Sequence, residues 1–115
     1  MTIFTLILQG ILALMFIIAG SGKTFGSKMH IENFEKWGYP QWFRVVTGLI
    51  ELVGAILLIV GYWYETATLN GAAIFVVVGI GGVITHIRVK DTIKDTAMIG
   101  VLGILALVLF LIILF

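Results

Sequence analysis

The chain contains no cysteine and few charged residues. Without thiols it has no disulfide, no thiol redox chemistry and no cysteine-ligated metal site of its own. Charged side chains make up 11% of its 115 residues, less than half of the roughly 25% that is typical of soluble domains. The scarcity of charge therefore argues against a soluble domain. Nucleic-acid binding also lacks support, because the Lys and Arg residues flank apolar runs.

The chain has instead four long apolar runs, within a composition that is 61% hydrophobic. Each run is about 20 residues long, enough to cross the roughly 30 Å hydrocarbon core of a bilayer as a helix. Helices are expected because backbone groups in lipid must find hydrogen-bond partners within the protein. The sequence predicts an all-α integral membrane protein, a four-helix bundle that is one domain over residues 1–115, with spans at about residues 2–22, 42–62, 66–86 and 96–115.

Positive charge is confined to two connections between these runs. The first holds Lys23, Lys28, Lys36 and Arg44, and the second holds Arg88, Lys90 and Lys94. If the runs cross a bilayer, both connections fall on the same side of it. Cationic loops are retained on the cytoplasmic side. We therefore expect a multi-pass protein of the cell membrane with both termini outside and the basic loops cytoplasmic.

The first connection has the pattern of a short amphipathic helix over residues 28–37. Ser27 is placed to cap its start, and Gly38 can end it in the left-handed conformation. Pro40 then suits the first turn of the next span.

Three apolar residues lie on one face of this segment: Ile31, Phe34 and Trp37. One role for such a face is to anchor the loop at the membrane interface. The other is to form a lid over the adjacent end of the bundle. The sequence leaves both roles open.

Glu51 is the residue that the composition makes least expected, because it lies deep within the second span. A carboxylate at that depth costs a few kcal/mol on insertion scales, so it must face the bundle and be either protonated or paired. Arg44, Thr47 and Gly48 share its helix face at intervals of three and four residues. Glu51 is either a functional group or a polar contact between helices.

Other spans direct polar residues toward the same region. Gln9 is predicted near the depth of Glu51 and could hydrogen-bond it. Lys23, His86 and Arg88 would complete a polar ring at the cytoplasmic end, although Lys23 and Arg88 could equally reach toward lipid headgroups. The fourth span offers no charged group and is expected to be a lipid-facing wall. One histidine and one carboxylate do not make a metal site, so none is predicted.

Glycine is abundant in the spans, and small residues allow membrane helices to approach closely. We interpret four of them as helix-packing positions: Gly48, Gly54, Gly79 and Gly82.

Three segments of the chain resemble the DoxX-like family of small four-span membrane proteins. They are AGSGK (19–23), ENFEKWGYPQWFRVVTGLIELVGAILL (32–58) and THIR (85–88). The middle segment is the most specific, with a W-G-x-P step followed by G-x-x-E-x-x-G in an apolar helix. The family is named for a subunit linked to a membrane thiosulfate:quinone oxidoreductase. The resemblance therefore implies an accessory role beside a partner, and it makes a quinone one candidate ligand.

Three functions agree with these residues. We favour a non-catalytic subunit that binds a partner protein, another copy of itself or a lipophilic molecule such as a quinone, since no cofactor motif is evident. The second is a small proton-coupled transporter that uses Glu51. The third is an enzyme acting on a lipid or quinone, with Glu51 and His86 as an acid–base pair.

Overall fold

In a computed structural model, the chain folds into five helices and no strand within the described residues, which are 2–90 and 93–115, without the side chains of residues 93–95. The side chain of Lys94, which the sequence placed in the second basic group, thus lies outside the described part. The helices are α1 (Ile3–Phe25), α2 (Lys28–Lys36), α3 (Gln41–Val60), α4 (Glu65–Arg88) and α5 (Ile93–Leu114).

The predicted all-α fold with four spans is confirmed. Four helices, α1, α3, α4 and Thr96–Leu114 of α5, are long and apolar enough to cross a membrane. Their ends differ by a few residues from the predicted spans, most of all in α1, which continues through Lys23 to Phe25. It ends there because Gly26 adopts the left-handed conformation, with φ of 77°, which favours glycine.

The four long helices pack as a ring in which α1 lies beside α3, α3 beside α4, and α4 beside α5. Phe16 of α1 and Phe75 of α4 stack across the middle, with ring centroids 3.8 Å apart. Leu12, Leu58 and Leu109 are completely buried around them. The centre of the bundle is therefore an apolar core without a channel-like gap at this level.

Glycines allow adjacent helices to approach closely, as two of these pairs illustrate. A Cβ atom on Gly48 of α3 would lie 2.8 Å from the carbonyl oxygen of Gly20 on α1. A Cβ atom on Gly79 of α4 would lie 2.7 Å from the Cα atom of Gly103 on α5. Both distances are shorter than real Cβ contacts, so any side chain there would push the helices apart.

The other two predicted packing glycines contact side chains rather than backbone. A Cβ atom on Gly54 would lie 2.7 Å from Cζ of Phe75, and one on Gly82 would lie 2.6 Å from Cγ1 of Ile99. Each glycine therefore makes room for a neighbouring apolar side chain.

The short helix α2 ends in a turn that directs the following residues back to the bundle. Gly38 has φ of 79°, and the N–H groups of Gly38 and Tyr39 donate to the carbonyls of Glu35 and Phe34, at 3.1 and 3.0 Å. This is the Schellman pattern of helix termination. At the other end of α2 the predicted cap is wrong in its chemistry, because the Ser27 side chain makes no capping hydrogen bond.

The two ends of the bundle differ in structure. At the end that we call the turn end, α3 and α4 are joined by the tight connection over residues 61–64. The opposite end, which we call the basic end, carries α2 and both groups of Lys and Arg residues. Because the α3–α4 connection is at the turn end, these helices have no direct link at the basic end.

Candidate functional site: a cavity at the basic end

A cavity of about 410 Å³ lies inside the basic end of the bundle. Its volume is within the range of roughly 300–1,000 Å³ found for small-molecule sites. Residues from all five helices and from the connection after α2 form its lining: Lys23, Phe34, Trp37, Tyr39, Phe43, Thr47, Ile50, Glu51, Val78, Gly81, Gly82, Ile84, Thr85, His86 and Ile99. The lining is mostly aromatic and aliphatic, with a few polar groups.

The strongest polar feature of the lining is an ion pair between α1 and α3. Lys23 Nζ lies 2.7 Å from Glu51 Oε1, in a geometry that is not that of a hydrogen bond. The Glu51 side chain is only 2% exposed, whereas that of Lys23 is 16% exposed. A buried carboxylate is tolerated when a cation neutralises it, so Lys23 compensates for Glu51 while its own head remains reachable from the cavity.

Arg44 holds the backbone that carries Lys23. Its Nη1 donates to the carbonyl oxygen of Lys23, and its Nε donates to Oε1 of Gln41 at 2.8 Å. The Lys23 carbonyl lies in the last turn of α1, where unpaired carbonyls and the helix dipole favour a cation. Arg44 does not line the cavity, and its role is to fix the α1–α3 contact beside the ion pair.

Aromatic rings from α2 and from the start of α3 cover the cavity. Phe34 is 3% exposed, and its ring centroid lies 5.1 Å from that of Trp37 and 6.3 Å from that of Phe43. Tyr39 and Phe43 also meet edge to face, with centroids 5.3 Å apart. The apolar face of α2 therefore turns toward the bundle at Phe34 and Trp37, while Ile31 is not part of the cavity lining.

Four contacts join the end of α2 and the residues after it to the last turn of α4. The Tyr39 hydroxyl lies 2.9 Å from Thr85 Oγ1, Arg88 Nη2 donates to the carbonyl oxygen of Trp37 at 2.6 Å, and the rings of Trp37 and His86 meet edge to face at 5.3 Å. The Arg88 guanidinium also lies 4.8 Å from the centre of the Tyr39 ring. His86 and Arg88, which the sequence singled out, thus hold the residues at the end of α2 against α4.

The cavity is open on one side. Ile50 of α3 and Ile84 of α4 belong to its lining and are 44% and 59% exposed. The cavity therefore reaches the outer surface of the bundle between α3 and α4. Ile50 is near the middle of its helix, so this mouth faces the region that lipid tails would occupy.

Four of the predicted polar residues line the cavity and the others do not. The four are Lys23, Thr47, Glu51 and His86. Thr47 Oγ1 also donates to the carbonyl oxygen of Phe43 at 2.8 Å. No group of three or more His, Asp or Glu side chains among the described residues could hold a metal ion.

The prediction that Gln9 hydrogen-bonds Glu51 is wrong. Gln9 Nε2 donates to the carbonyl oxygen of Leu58 at 2.5 Å and to Thr68 Oγ1 at 3.0 Å. Leu58 is seven residues beyond Glu51, which corresponds to about 10 Å along the helix. The sequence does not show how far α1 and α3 are shifted along each other, so it does not tell which of their residues lie at the same depth. Gln9 is a polar contact near the turn end, outside the cavity.

The expectation for the fourth span needs a correction as well. Ala106 and Leu109 of α5 are fully buried, and Ile99 lines the cavity. The helix is thus a packing partner of α4 and one side of the cavity, in addition to presenting an exposed apolar surface.

His30 on α2 lies against the end of α1, close enough that a Cβ atom on Gly22 would be 2.8 Å from its ring. Burial holds the pKa of the His30 imidazole below its usual value, and the charges of Lys23 and Arg44 act in the same direction. Both effects disfavour the protonated ring.

Sequence reasoning missed several contributors to the cavity, among them Tyr39 and Thr85. Neither side chain is charged, so neither identifies a polar site by itself. The signal for Tyr39 was present in the W-G-x-P step, because a glycine in the left-handed conformation there reverses the chain toward α4.

Comparison with known proteins places the chain in a family. It matches the DoxX-like family over residues 7–110. It is also 31% identical over 75 residues to the uncharacterized protein YdgD of Bacillus subtilis (strain 168), an alignment that covers 65% of this chain and 66% of that relative. No solved structure matches significantly. The match extends over nearly the whole chain and includes all four apolar helices, and the chain therefore belongs to the DoxX-like family.

Proposed function

We propose that this protein binds a lipophilic molecule with a polar head in the cavity at the basic end, and that it serves as an accessory membrane subunit without catalytic chemistry of its own. The observation that carries the proposal is a cavity of about 410 Å³ that has a charged pair in its lining and a mouth toward the lipid region.

The mouth supports a lipophilic ligand. A water-soluble substrate would need an opening to water, whereas the gap between Ile50 and Ile84 is framed by exposed isoleucines on two helices that are apolar enough to span a membrane. A ligand dissolved in the bilayer could enter there without crossing water. The aromatic cover formed by Phe34 and Trp37 would then separate its head from the aqueous side.

The ion pair supports a head group that is polar but uncharged. Lys23 carries three N–H donors, and within the described part of the chain it forms an ion pair only with Glu51. A carbonyl or hydroxyl oxygen could accept from the remaining donors without disturbing the pair. An anion would face the Glu51 carboxylate, and a second cation would face Lys23. A quinone is one molecule of the favoured kind, and redox chemistry would belong to a partner protein.

The test is native mass spectrometry of the protein extracted gently from its own membrane. We expect a stoichiometric small-molecule adduct that is lost in Lys23→Met and in Thr47→Leu, which fills the cavity without altering the ion pair. Lys28→Met is the matched control, because Lys28 is exposed on α2 and outside the cavity. Absence of any adduct from the natural protein, or equal adducts in all variants, would overturn the proposal.

Proton-coupled transport is the alternative, with Glu51 as the proton site. It is supported by the carboxylate being buried beside a cavity that opens on one side of the bundle. It is opposed by the completely buried apolar residues Leu12, Leu58 and Phe75 between Glu51 and the turn end. Flux measured in proteoliposomes separates the two: transport requires proton-dependent uptake that Glu51→Gln abolishes, and binding requires none.

A further inference from the structure

Gly81 is a glycine in the interior of α4 that no packing contact explains. Glycine in a helix is unfavourable relative to alanine, because it loses more backbone freedom on folding. At Gly79 and Gly82 a neighbouring helix occupies the space that a side chain would need. At Gly81, by contrast, an added Cβ atom would meet no heavy atom within 4 Å.

The empty space beside Gly81 belongs to the cavity, whose lining includes this residue. The missing side chain therefore affects the shape of the cavity and not the packing of helices. Gly81 is itself exposed, so it lines the open side of the cavity, and a methyl group at this position would reduce the room next to the α4 backbone there.

A hydrogen-bonded chain fixes an aromatic ring close to this space. Thr85 Oγ1 donates to the carbonyl oxygen of Gly81 at 2.9 Å. With its proton used in that bond, Thr85 accepts from the Tyr39 hydroxyl at 2.9 Å. Tyr39 is thereby tied to the same turn of α4 that carries Gly81, and its ring lines the same cavity.

We infer that Gly81 is a specificity-determining residue, which keeps open a flat space beside Tyr39 that accepts a planar ring. Aromatic rings pair favourably in offset or edge-to-face arrangements, and Tyr39, Phe34 and Phe43 already meet at such distances. A bare helix backbone allows a ring to lie against it, whereas a puckered saturated ring is thicker and fits less well. The inference rests on the proposed function and adds the shape of the ligand's head.

The test compares two probes of matched length and hydroxyl content, 4-octylphenol and 4-octylcyclohexanol, by isothermal titration in one detergent at equal micellar mole fraction. The natural protein should bind the planar phenol roughly threefold to tenfold more tightly, the range that favourable ring pairs contribute. Gly81→Ala should weaken phenol binding by about tenfold, the lower end of what one methyl group contributes in an apolar pocket, and should remove the preference.

Gly100→Ala is the matched control. Gly100 is also a helix glycine, an added Cβ atom there would make an ordinary contact 3.7 Å from Val83, and it does not line the cavity. This variant should keep the preference of the natural protein. Both variants should fold, since neither alanine meets a clash.

The outcomes separate this inference from the function on which it rests. If the natural protein binds both probes equally, or if Gly81→Ala retains the preference, the role of Gly81 is overturned while the cavity remains a binding site. If the natural protein binds neither probe and carries no adduct from its own membrane, the proposed function fails with it.

Discussion

At the scale of single residues, the pairing of Lys23 with Glu51 decides the character of the site. A carboxylate that is 2% exposed has lost nearly all of its hydration, and attraction to one cation offsets that loss only in part. The pair therefore does not stabilise the bundle much relative to two apolar residues. Removing one partner is a different matter, because it leaves the other charge buried and unpaired.

A double-mutant cycle on this pair should show strong coupling. Lys23→Met and Glu51→Gln should each destabilise the bundle, by about 3 kcal/mol for the variant that leaves a carboxylate unpaired, and the double variant should recover much of the loss. The measurement is equilibrium unfolding in mixed micelles by increasing sodium dodecyl sulfate.

The exposed pair Lys28 and Glu32 on α2, 4.0 Å apart, provides the control cycle. Exposed ion pairs contribute little, so Lys28→Met and Glu32→Gln should show no measurable coupling. Additive losses at Lys23 and Glu51 would contradict the ion pair as the reason for the buried charges.

His30 should make the docking of α2 dependent on pH. Its folded-state pKa is lowered, so the docked form binds protons less readily than a free α2, whose histidine would titrate near 6.5. Docking is then fully favourable above that value and weakens as pH falls through it.

The expected result is faster amide exchange over residues 28–36 at pH 5.5 than at pH 7.5, after correction for intrinsic exchange rates. The same correction applied to α5 provides an internal reference. The variant His30→Gln should lose the pH dependence; if it retained the full effect, another group would be responsible.

At the scale of elements, the contacts of α2 support the role of a lid, and the role of an interfacial anchor stays a prediction. Phe34 of α2 is buried, and Tyr39, which follows this helix, contacts Thr85 and Arg88 of α4. These contacts hold α2 as a cover over the cavity. Met29, on another side of the helix, is 60% exposed and is available to an interface. A ten-residue amphipathic pattern predicts the helix. It does not tell whether the apolar face of that helix packs on the bundle or on the membrane, since both of these are apolar.

Helix contacts at glycine should respond to alanine according to the space available. Gly79→Ala should destabilise the protein by about 1–3 kcal/mol, because its Cβ atom would lie 2.7 Å from the Gly103 backbone and backbone cannot move aside cheaply. Gly100→Ala, on the facing helix, should have no such cost. Thermal unfolding in detergent measures both, and equal stability of the two variants would contradict the close α4–α5 approach.

The sequence predicted the elements well and their mutual contacts only in part. Long apolar runs indicate spans because length and composition are properties of each segment alone. The face of Glu51 followed from helical spacing for the same reason. The hydrogen-bond partner of Gln9 does not follow from helical spacing, because it depends on how α1 and α3 are shifted along each other. Close packing at Gly20 and Gly48 sets that shift. The Tyr39–Thr85 contact joins residues 46 positions apart, and no local pattern encodes it.

At the scale of the whole molecule, the two ends of the bundle have different chemistry. The basic end has the ion pair, the cover and the cationic connections, whereas the turn end has Tyr62, Trp63 and Tyr64, all exposed. Such aromatic side chains prefer the headgroup level of a bilayer. If the four long helices cross a bilayer, we expect this asymmetry to favour one orientation, with the basic end on the cytoplasmic side.

Single-cysteine variants should reveal that orientation without background, because the natural chain has no cysteine. We expect Glu65→Cys, at the turn end, to react with a membrane-impermeant maleimide on intact bacterial cells. Ser27→Cys, at the basic end, should react only after lysis. Labelling of Ser27→Cys on intact cells, with Glu65→Cys protected until lysis, would show the opposite orientation.

If the cavity binds a ligand, the mouth between α3 and α4 determines which ligand concentration sets its occupancy. A ligand that arrives through the bilayer is present there as a mole fraction of the lipid, and its concentration in water is almost irrelevant. Occupancy would then fall when lipid is added at constant protein and ligand, even though nothing in the aqueous phase has changed. Two membranes with the same total amount of ligand but different areas would load the cavity to different extents, so the protein would report how crowded the bilayer is with its ligand.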